Sequence, residues 1–219
     1  MVNSVLDKAD PKTVAVRRWL MLAPAGVFVT YVAVRGISES YDNEGFPEAL
    51  AVKLEVLPVI FPLHMVTGGL ALLLIPLVLY LRGTPWHRRI GRIAAFDIAI
   101  AGVTAIPVAL VLPITTLSAA GFAAQGVIWI ILLCFGIWSI RRRRVAAHRA
   151  AMLMMAAVTS GAVFFRLYLG LWKVVGIPRH FEAFYALDSW IAWGLPLIAT
   201  AIWIHVRGSG RQLATNSAG

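Results

Sequence analysis

The sequence predicts an all-α integral membrane protein with six transmembrane helices and with both termini in the cytoplasm. The chain of 219 residues is 60% hydrophobic and only 14% charged, whereas charged residues make up about 25% of a typical soluble domain. Its apolar residues are also concentrated in long continuous runs. A helix needs about 20 such residues to cross a lipid bilayer, so the bilayer is the expected surroundings of most of this chain.

Six runs are long and apolar enough to be spans: residues 19–37, 57–81, 93–113, 121–140, 150–172 and 187–206. They are continuous rather than alternating, which disfavours a transmembrane β-barrel. We expect residues 1–18 to be a cytoplasmic segment and residues 207–219 to be a flexible cytoplasmic tail. The outer stretch PEALAVKLE, residues 47–55, predicts a short interfacial helix.

The basic residues orient the predicted helices. Of the 20 lysines and arginines, 15 fall on one side of the predicted membrane and four on the other, while Arg166 falls within a span. Positive charge accumulates in cytoplasmic loops, so the run RRRR, residues 141–144, is expected on the inner side of a bacterial cytoplasmic membrane. Topology thereby explains the net charge of +10, and no nucleic-acid partner is needed.

An outer layer of polar side chains predicts either a structural network or a pocket. Ionisable residues inside membrane spans are costly and mark functional sites. The layer holds His64, Gln125, Arg166 and Asp188, on four predicted helices; at 1.5 Å per residue, His64 and Arg166 lie about 10 Å below the outer boundary. In a structural network Arg166 pairs with Asp188. As a pocket, the layer suits an anion, a quinone head group or a haem edge.

Two histidines near the inner surface predict a haem b site. His87 and His148 both stand where helices rise from the cytoplasmic side, and an arginine directly follows each of them. Bis-imidazole ligation requires two facing neutral imidazoles on different helices, and arginine suits bidentate contact with carboxylates such as haem propionates. The predicted cofactor-binding residues are His87, His148, Arg88, Arg89 and Arg149, with His64 as a further ligand on the outer side.

A polar stripe on the fifth predicted span suggests a copper site as an alternative to haem. His148, Met152, Met155, Thr159 and Arg166 share one helical face. Imidazole and thioether groups together suit Cu(I), so His148, Met152 and Met155 form the copper alternative. Methionine is also common core filler, which is why haem is preferred.

Five segments carry a family resemblance: LHMVTGGLALLLIPL (63–77), WHRRIGRI (86–93), GFAAQGVIWIILLCFGIWSIRRRRVAAHRAAM (121–152), FFRLYLG (164–170) and DSWIAWGLPL (188–197). Together they resemble the bacterial membrane protein family called domain of unknown function 2306, over about residues 56–206. The resemblance implies a six-helix bacterial membrane protein and singles out His64, His87, His148 and Arg166. It implies no reaction.

The sequence is compatible with three functions. The first is cytochrome b-like electron transfer through the inner histidines, with a quinone or another membrane redox partner. The second is a small-molecule or ion permease that uses the outer pocket. The third is a non-catalytic accessory subunit of a larger membrane complex, and a homo-oligomer is also compatible. The chain has no phosphate loop, HExxH or CxxC motif, so soluble kinase or hydrolase chemistry is not expected.

Overall fold

The computed structural model describes residues 11–38, 40, 48–175 and 178–216, and over these residues it contains helices and no strand. The helices are α1 (Pro11–Ser38), α2 (Glu48–Val56), α3 (Ile60–Tyr80), α4 (Trp86–Leu110), α5 (Thr116–Arg141), α6 (Val145–Val175) and α7 (Phe181–Asn216). A 3-10 turn, Pro178–His180, precedes α7. The helix α2 confirms the short helix predicted after Pro47.

Five segments of the described chain are long and apolar enough to cross a membrane: α3, α4, α5, α6 and Pro178–Arg207, which contains most of α7. Large apolar side chains such as Phe96, Ile131 and Ile202 are exposed on the outside of the bundle, where lipid tails solvate them as well as a protein core would. The predicted all-helical membrane class is therefore confirmed. The first predicted span, residues 19–37, falls within α1, whose described side chains include the apolar stretch Gly26–Ser38.

Several helices extend beyond the predicted apolar spans. The helix α1 begins at Pro11 and α7 continues to Asn216, so these helices include residues 11–18 and 207–216 in addition to the predicted spans. Hydropathy marks only the part of a helix that lies in hydrocarbon, and a helix can continue through polar residues outside it. Likewise, α4 begins at Trp86 and α6 at Val145, which puts His87 and His148 inside the first turns of these helices.

Four helices form a closed ring in which α3 packs against α4, α4 against α5, α5 against α6, and α6 against α3. The helices α4 and α6 therefore stand at opposite corners. The ring shares a core that includes Ile75, Ile98, Leu133 and Met155, one side chain from each helix. Outside the ring, α7 packs on α5 and α6, while α1 packs mainly on α3. Because α4 and α6 run in the same direction, they begin at the same end of the ring.

Glycines permit close contacts between neighbouring helices. A methyl group built on Gly126 of α5 would lie 3.1 Å from the backbone oxygen of Gly102 on α4. A methyl group on Gly161 of α6 would lie 2.6 Å from Cβ and 3.0 Å from Cα of Trp193 on α7. Small residues of this kind let helix backbones approach each other in membranes.

The basic turn between α5 and α6 is compact. Arg142 caps α5, and Arg143 follows with φ +58°, in the left-handed region that favours glycine. The N–H of Arg143 donates to the oxygen of Ile140 at 3.0 Å, and the N–H of Arg144 donates to that of Ser139 at 2.9 Å. These two bonds make a Schellman motif, and they hold the four arginines at the end of the bundle where α4 also begins.

Candidate functional site

Both inner histidines are tied to backbone carbonyl groups. Nδ1 of His87 lies 3.0 Å from the oxygen of Val78 on α3, and Nδ1 of His148 lies 2.9 Å from the oxygen of Gly136 on α5. A carbonyl oxygen only accepts hydrogen bonds, so Nδ1 carries the proton in each neutral ring and Nε2 keeps a lone pair. Metal-ligating histidines are commonly oriented by this same type of contact.

The two inner histidines share one end of the ring of four helices. His87 is in the first turn of α4 and His148 is the fourth residue of α6, and these helices occupy opposite corners. The imidazole of His87 is hydrogen-bonded to α3, and the imidazole of His148 is hydrogen-bonded to α5. The arginines predicted to accompany them, Arg88, Arg89 and Arg149, are all exposed. The guanidinium of Arg89 lies over the ring of Trp86, with Cζ 5.2 Å from its centroid.

The methionines of the copper alternative take part in packing. Met155 is 5% exposed and belongs to the core of the ring, and the terminal methyl group of Met152 fills the space beside Gly136. Flexible thioether side chains are well suited to such gaps. Among the side chains that the structure describes, no group of three His, Cys, Asp or Glu residues is arranged to hold a metal ion.

His64 lies on α3 and faces α4. Its Nδ1 is 3.1 Å from the oxygen of Ala101 and 3.4 Å from Oγ1 of Thr104. His64 is therefore a third histidine with Nδ1 at a carbonyl oxygen of a neighbouring helix. Sequence reasoning missed Thr104, because a hydroxyl inside a helix usually bonds back to its own backbone, as this one also does to Ile100 at 2.7 Å.

Arg166 reaches from α6 toward α1 and α3. Its Nη1 donates to the oxygen of Ala162 at 3.2 Å, and its Nη2 lies close to Gly36 of α1. The guanidinium also acts electrostatically on the imidazole of His64 and on the hydroxyl of Tyr185. Sequence reasoning missed Tyr185, because a tyrosine near a span end is the usual residue of an interfacial aromatic belt.

The ion pair predicted between Arg166 and Asp188 does not form. Asp188 is completely buried, and neither of its carboxylate oxygens has a hydrogen-bond partner in the described part of the chain. Phe165 faces Tyr185 of α7, with ring centroids 5.4 Å apart, and the next residue along a helix points about 100° away. Arg166 therefore leaves α6 toward α1, whereas Asp188 lies on the face of α7 that packs against α5 and α6.

Two further side chains complete the outer half. Gln125 donates from Nε2 to the oxygen of Val158 at 3.1 Å, which ties α5 to α6. Lys53 of α2 is 9% exposed, and its Nζ donates to the oxygen of Val108 at 2.8 Å. Val108 is near the end of α4, where carbonyl groups lack helical partners. Burial lowers the pKa of Lys53 through desolvation, and the lysine also acts electrostatically on His64.

We call Lys53, His64, Thr104, Arg166 and Tyr185 the outer polar cluster. Its members come from α2, α3, α4, α6 and α7. Two residues of the predicted outer pocket, His64 and Arg166, belong to it. The other two are not bonded to it: Gln125 ties α5 to α6, and Asp188 acts electrostatically on Tyr185 but makes no hydrogen bond in the described part of the chain.

These features define the class: a polytopic, all-helical membrane protein that carries histidine, arginine and carboxylate groups inside its bundle. The chain belongs to the family of predicted membrane proteins DUF2306, whose family model matches residues 61–204. The resemblance inferred from the sequence is thus confirmed. The matched region contains His64, His87, His148 and Arg166. No curated protein and no solved structure matches the chain significantly.

Proposed function

We propose that the protein is a haem b-binding electron-transfer protein of the bacterial cytoplasmic membrane, in which His87 and His148 would hold the haem. One observation carries this proposal. Two imidazoles occupy the same end of the ring on helices at opposite corners, and each has Nδ1 at a backbone carbonyl. That arrangement leaves Nε2 of each ring as the ligating atom. A bound haem supplies one-electron chemistry, and the chain supplies ligation and surroundings.

The charges at this end fit the propionate groups of a haem. Arg88 and Arg149 directly follow the two histidines, and Arg89 is held over Trp86. Guanidinium groups bind carboxylates in a bidentate manner and stay charged. His64, with Nδ1 near the oxygen of Ala101, is the further ligand we propose toward the outer side. A quinone or another membrane redox protein is the proposed electron partner.

The proposal includes a topology of six spans with both termini in the cytoplasm. The five long apolar segments support five of the crossings, and α1, which contains the first predicted span, would make the sixth. The basic turns before α4 and α6 then face the cytoplasm, in agreement with the accumulation of positive charge there.

An optical spectrum tests the haem directly. The full chain is expressed with adequate haem supply, purified in detergent and measured oxidised and then reduced with dithionite. We expect a Soret band that sharpens on reduction, together with an α band of haem b. Variant His180→Ala is the matched control, because His180 is exposed in the 3-10 turn before α7. A colourless wild-type protein would refute the proposal.

A small-molecule or ion permease is the second candidate function. It is favoured by the outer polar cluster, which gathers donors from five helices within one half of the bundle. Proteoliposomes that contain the wild type should then shrink and re-swell faster in solutions of small anions than empty liposomes do. The variant His64→Gln should reduce that rate, and His180→Ala should leave it unchanged.

A further inference from the structure

We propose that the turn between α5 and α6 binds the phosphate of an anionic lipid headgroup, with Arg142 and Arg144 as its ligands and Trp138 as their platform. Both guanidinium groups lie over the same indole. Cζ of Arg142 is 5.7 Å from the ring centroid of Trp138, and Cζ of Arg144 is 5.0 Å from it. Each contact is a cation–π interaction, so one aromatic ring orients two positive charges.

The backbone of the turn keeps these two arginines in place. The Schellman bonds from Arg143 and Arg144 to the last turn of α5 leave the turn little conformational freedom. The backbone oxygen of Arg144 also accepts the N–H of His148 at 3.0 Å, so the turn is joined to the first turn of α6. The two guanidinium groups are thus presented on a rigid support.

In the described segments that flank this turn, the chain supplies no acidic side chain as a counter-charge. No Asp or Glu occurs between Asp97 and Glu182, and none occurs in residues 81–92 of the neighbouring basic turn. The first turn of α6 contains no acidic residue either. Positive charges at a helix start interact unfavourably with the helix dipole, and no carboxylate in that turn offsets them. Two like charges gathered on one ring in this way favour an anion from outside the protein.

The position of the turn points to a lipid as the source of that anion. The helix α5 is long and apolar enough to cross the membrane and ends at Arg141. Trp138 is 42% exposed in its last turn, a placement typical of tryptophan at the headgroup level. Two other arginine–tryptophan contacts, Arg89–Trp86 and Arg207–Trp203, belong to the ends of apolar segments on the same side. Phosphate groups of anionic lipids lie at this level, and arginine binds phosphate in a bidentate manner.

Native mass spectrometry and thermal melting of the detergent-purified full chain test the proposal. Phosphatidylglycerol should remain bound and raise the melting temperature, whereas phosphatidylcholine should do neither. The double variant Arg142→Gln/Arg144→Gln should bind phosphatidylglycerol about thirtyfold more weakly. The control Arg82→Gln/Arg92→Gln removes the same charge on the same side from exposed arginines that stack on no tryptophan in the described structure. It should weaken binding clearly less, because these two guanidinium groups are not gathered over one aromatic ring.

Two results would overturn the proposal. Equal losses in the two double variants would mean that the lipid responds to overall charge rather than to this turn. An equal melting shift with inorganic phosphate at the same phosphate concentration would exclude a lipid-specific site. If the glutamine variant does not fold, Arg142→Lys/Arg144→Lys retains the charge but loses the planar guanidinium groups. That variant should still bind phosphatidylglycerol several-fold more weakly, and unchanged binding would likewise contradict the proposal.

Discussion

His148 donates its Nδ1–H to the backbone oxygen of Gly136, at a nitrogen–oxygen distance of 2.9 Å. The bond joins α6 to α5 twelve residues earlier in the chain. Because Gly136 has no side chain, there is space beside this carbonyl group, and the terminal methyl group of Met152 occupies it. The contact gives His148 a structural role at Nδ1 that is separate from the ligand role proposed for Nε2.

The variant His148→Asn distinguishes these two roles. The amide nitrogen of asparagine can replace Nδ1 as the donor to Gly136, but asparagine has nothing in place of Nε2. We expect His148→Asn to lose bound haem and to melt close to the haem-free wild type, whereas His148→Ala should lose haem and melt below the haem-free wild type. Haem content per protein, measured from the reduced spectrum, and thermal melting in detergent check this. Wild-type haem content in His148→Asn would rule out His148 as an axial ligand.

Gly161→Ala should destabilise the contact between α6 and α7. The added methyl group would meet Cβ and Cα of Trp193 at 2.6 and 3.0 Å, and these atoms cannot move without moving α7. Overpacking of this kind typically costs about 1–3 kcal/mol. Gly170→Ala is the control on the same helix, because a methyl group there meets no atom within 4 Å. It should be neutral or stabilise by up to about 1 kcal/mol through helix propensity, as thermal melting in detergent can show. Equal melting temperatures for the two variants would contradict the close α6–α7 contact.

Lys53 should give the folded protein a measurable pH dependence. Burial lowers its pKa below the ordinary 10.5, so between the lowered pKa and 10.5 the unfolded chain binds more protons than the folded one. Folding stability therefore rises with pH in that interval. The wild type should gain melting temperature relative to Lys53→Gln as the pH rises toward 10.5. Lys173→Gln, which changes an exposed lysine, should follow the wild type across the same range. A constant difference between the wild type and Lys53→Gln would show that Lys53 is not desolvated.

The six-span topology predicts which segments an impermeant reagent can reach. The single cysteine, Cys134, is first replaced in Cys134→Ala. In that background, Ile114→Cys, in the outer turn between α4 and α5, should react with a membrane-impermeant maleimide in intact cells. Thr84→Cys, in the basic turn before α4, should react only after the cells are permeabilised. Fluorescent protein fused to either terminus should fluoresce in the cytoplasm. Fluorescence at one terminus alone would indicate an odd number of crossings.

The depth of the polar side chains in the membrane was predictable from the sequence, but the neighbouring helix that each side chain faces was not. Counting residues from span ends placed His64 and Arg166 at similar levels, and the structure brings them within electrostatic range. The same counting paired Arg166 with Asp188. In the structure Arg166 points from α6 toward α1, whereas Asp188 is buried on α7. That error arises because the rotation of a helix about its axis depends on packing, here on Phe165 and Gly161.

Lys53 shows the complementary case. In the sequence it is an ordinary lysine of a short interfacial helix, and no local pattern marks it as buried. Its bond to Val108 connects residues that are 55 positions apart. The carbonyl oxygen of Val108 has no helical partner because α4 ends there. Only the placement of α2 against the bundle decides that Lys53 is the side chain that donates a hydrogen bond to it.

The sequence by itself determined the all-helical membrane class, five of the apolar spans, the family, and the histidines and arginines that deserve testing. Hydropathy and charge are local properties, and the bilayer converts them into helices and boundaries without reference to neighbours. Only the tertiary structure decided that α4 and α6 stand at opposite corners, that each inner histidine rests on a carbonyl of an adjacent helix, and that two arginines share Trp138. These relationships depend on which helix faces meet, and small residues such as Gly136 and Gly161 decide that through the close contacts that they permit.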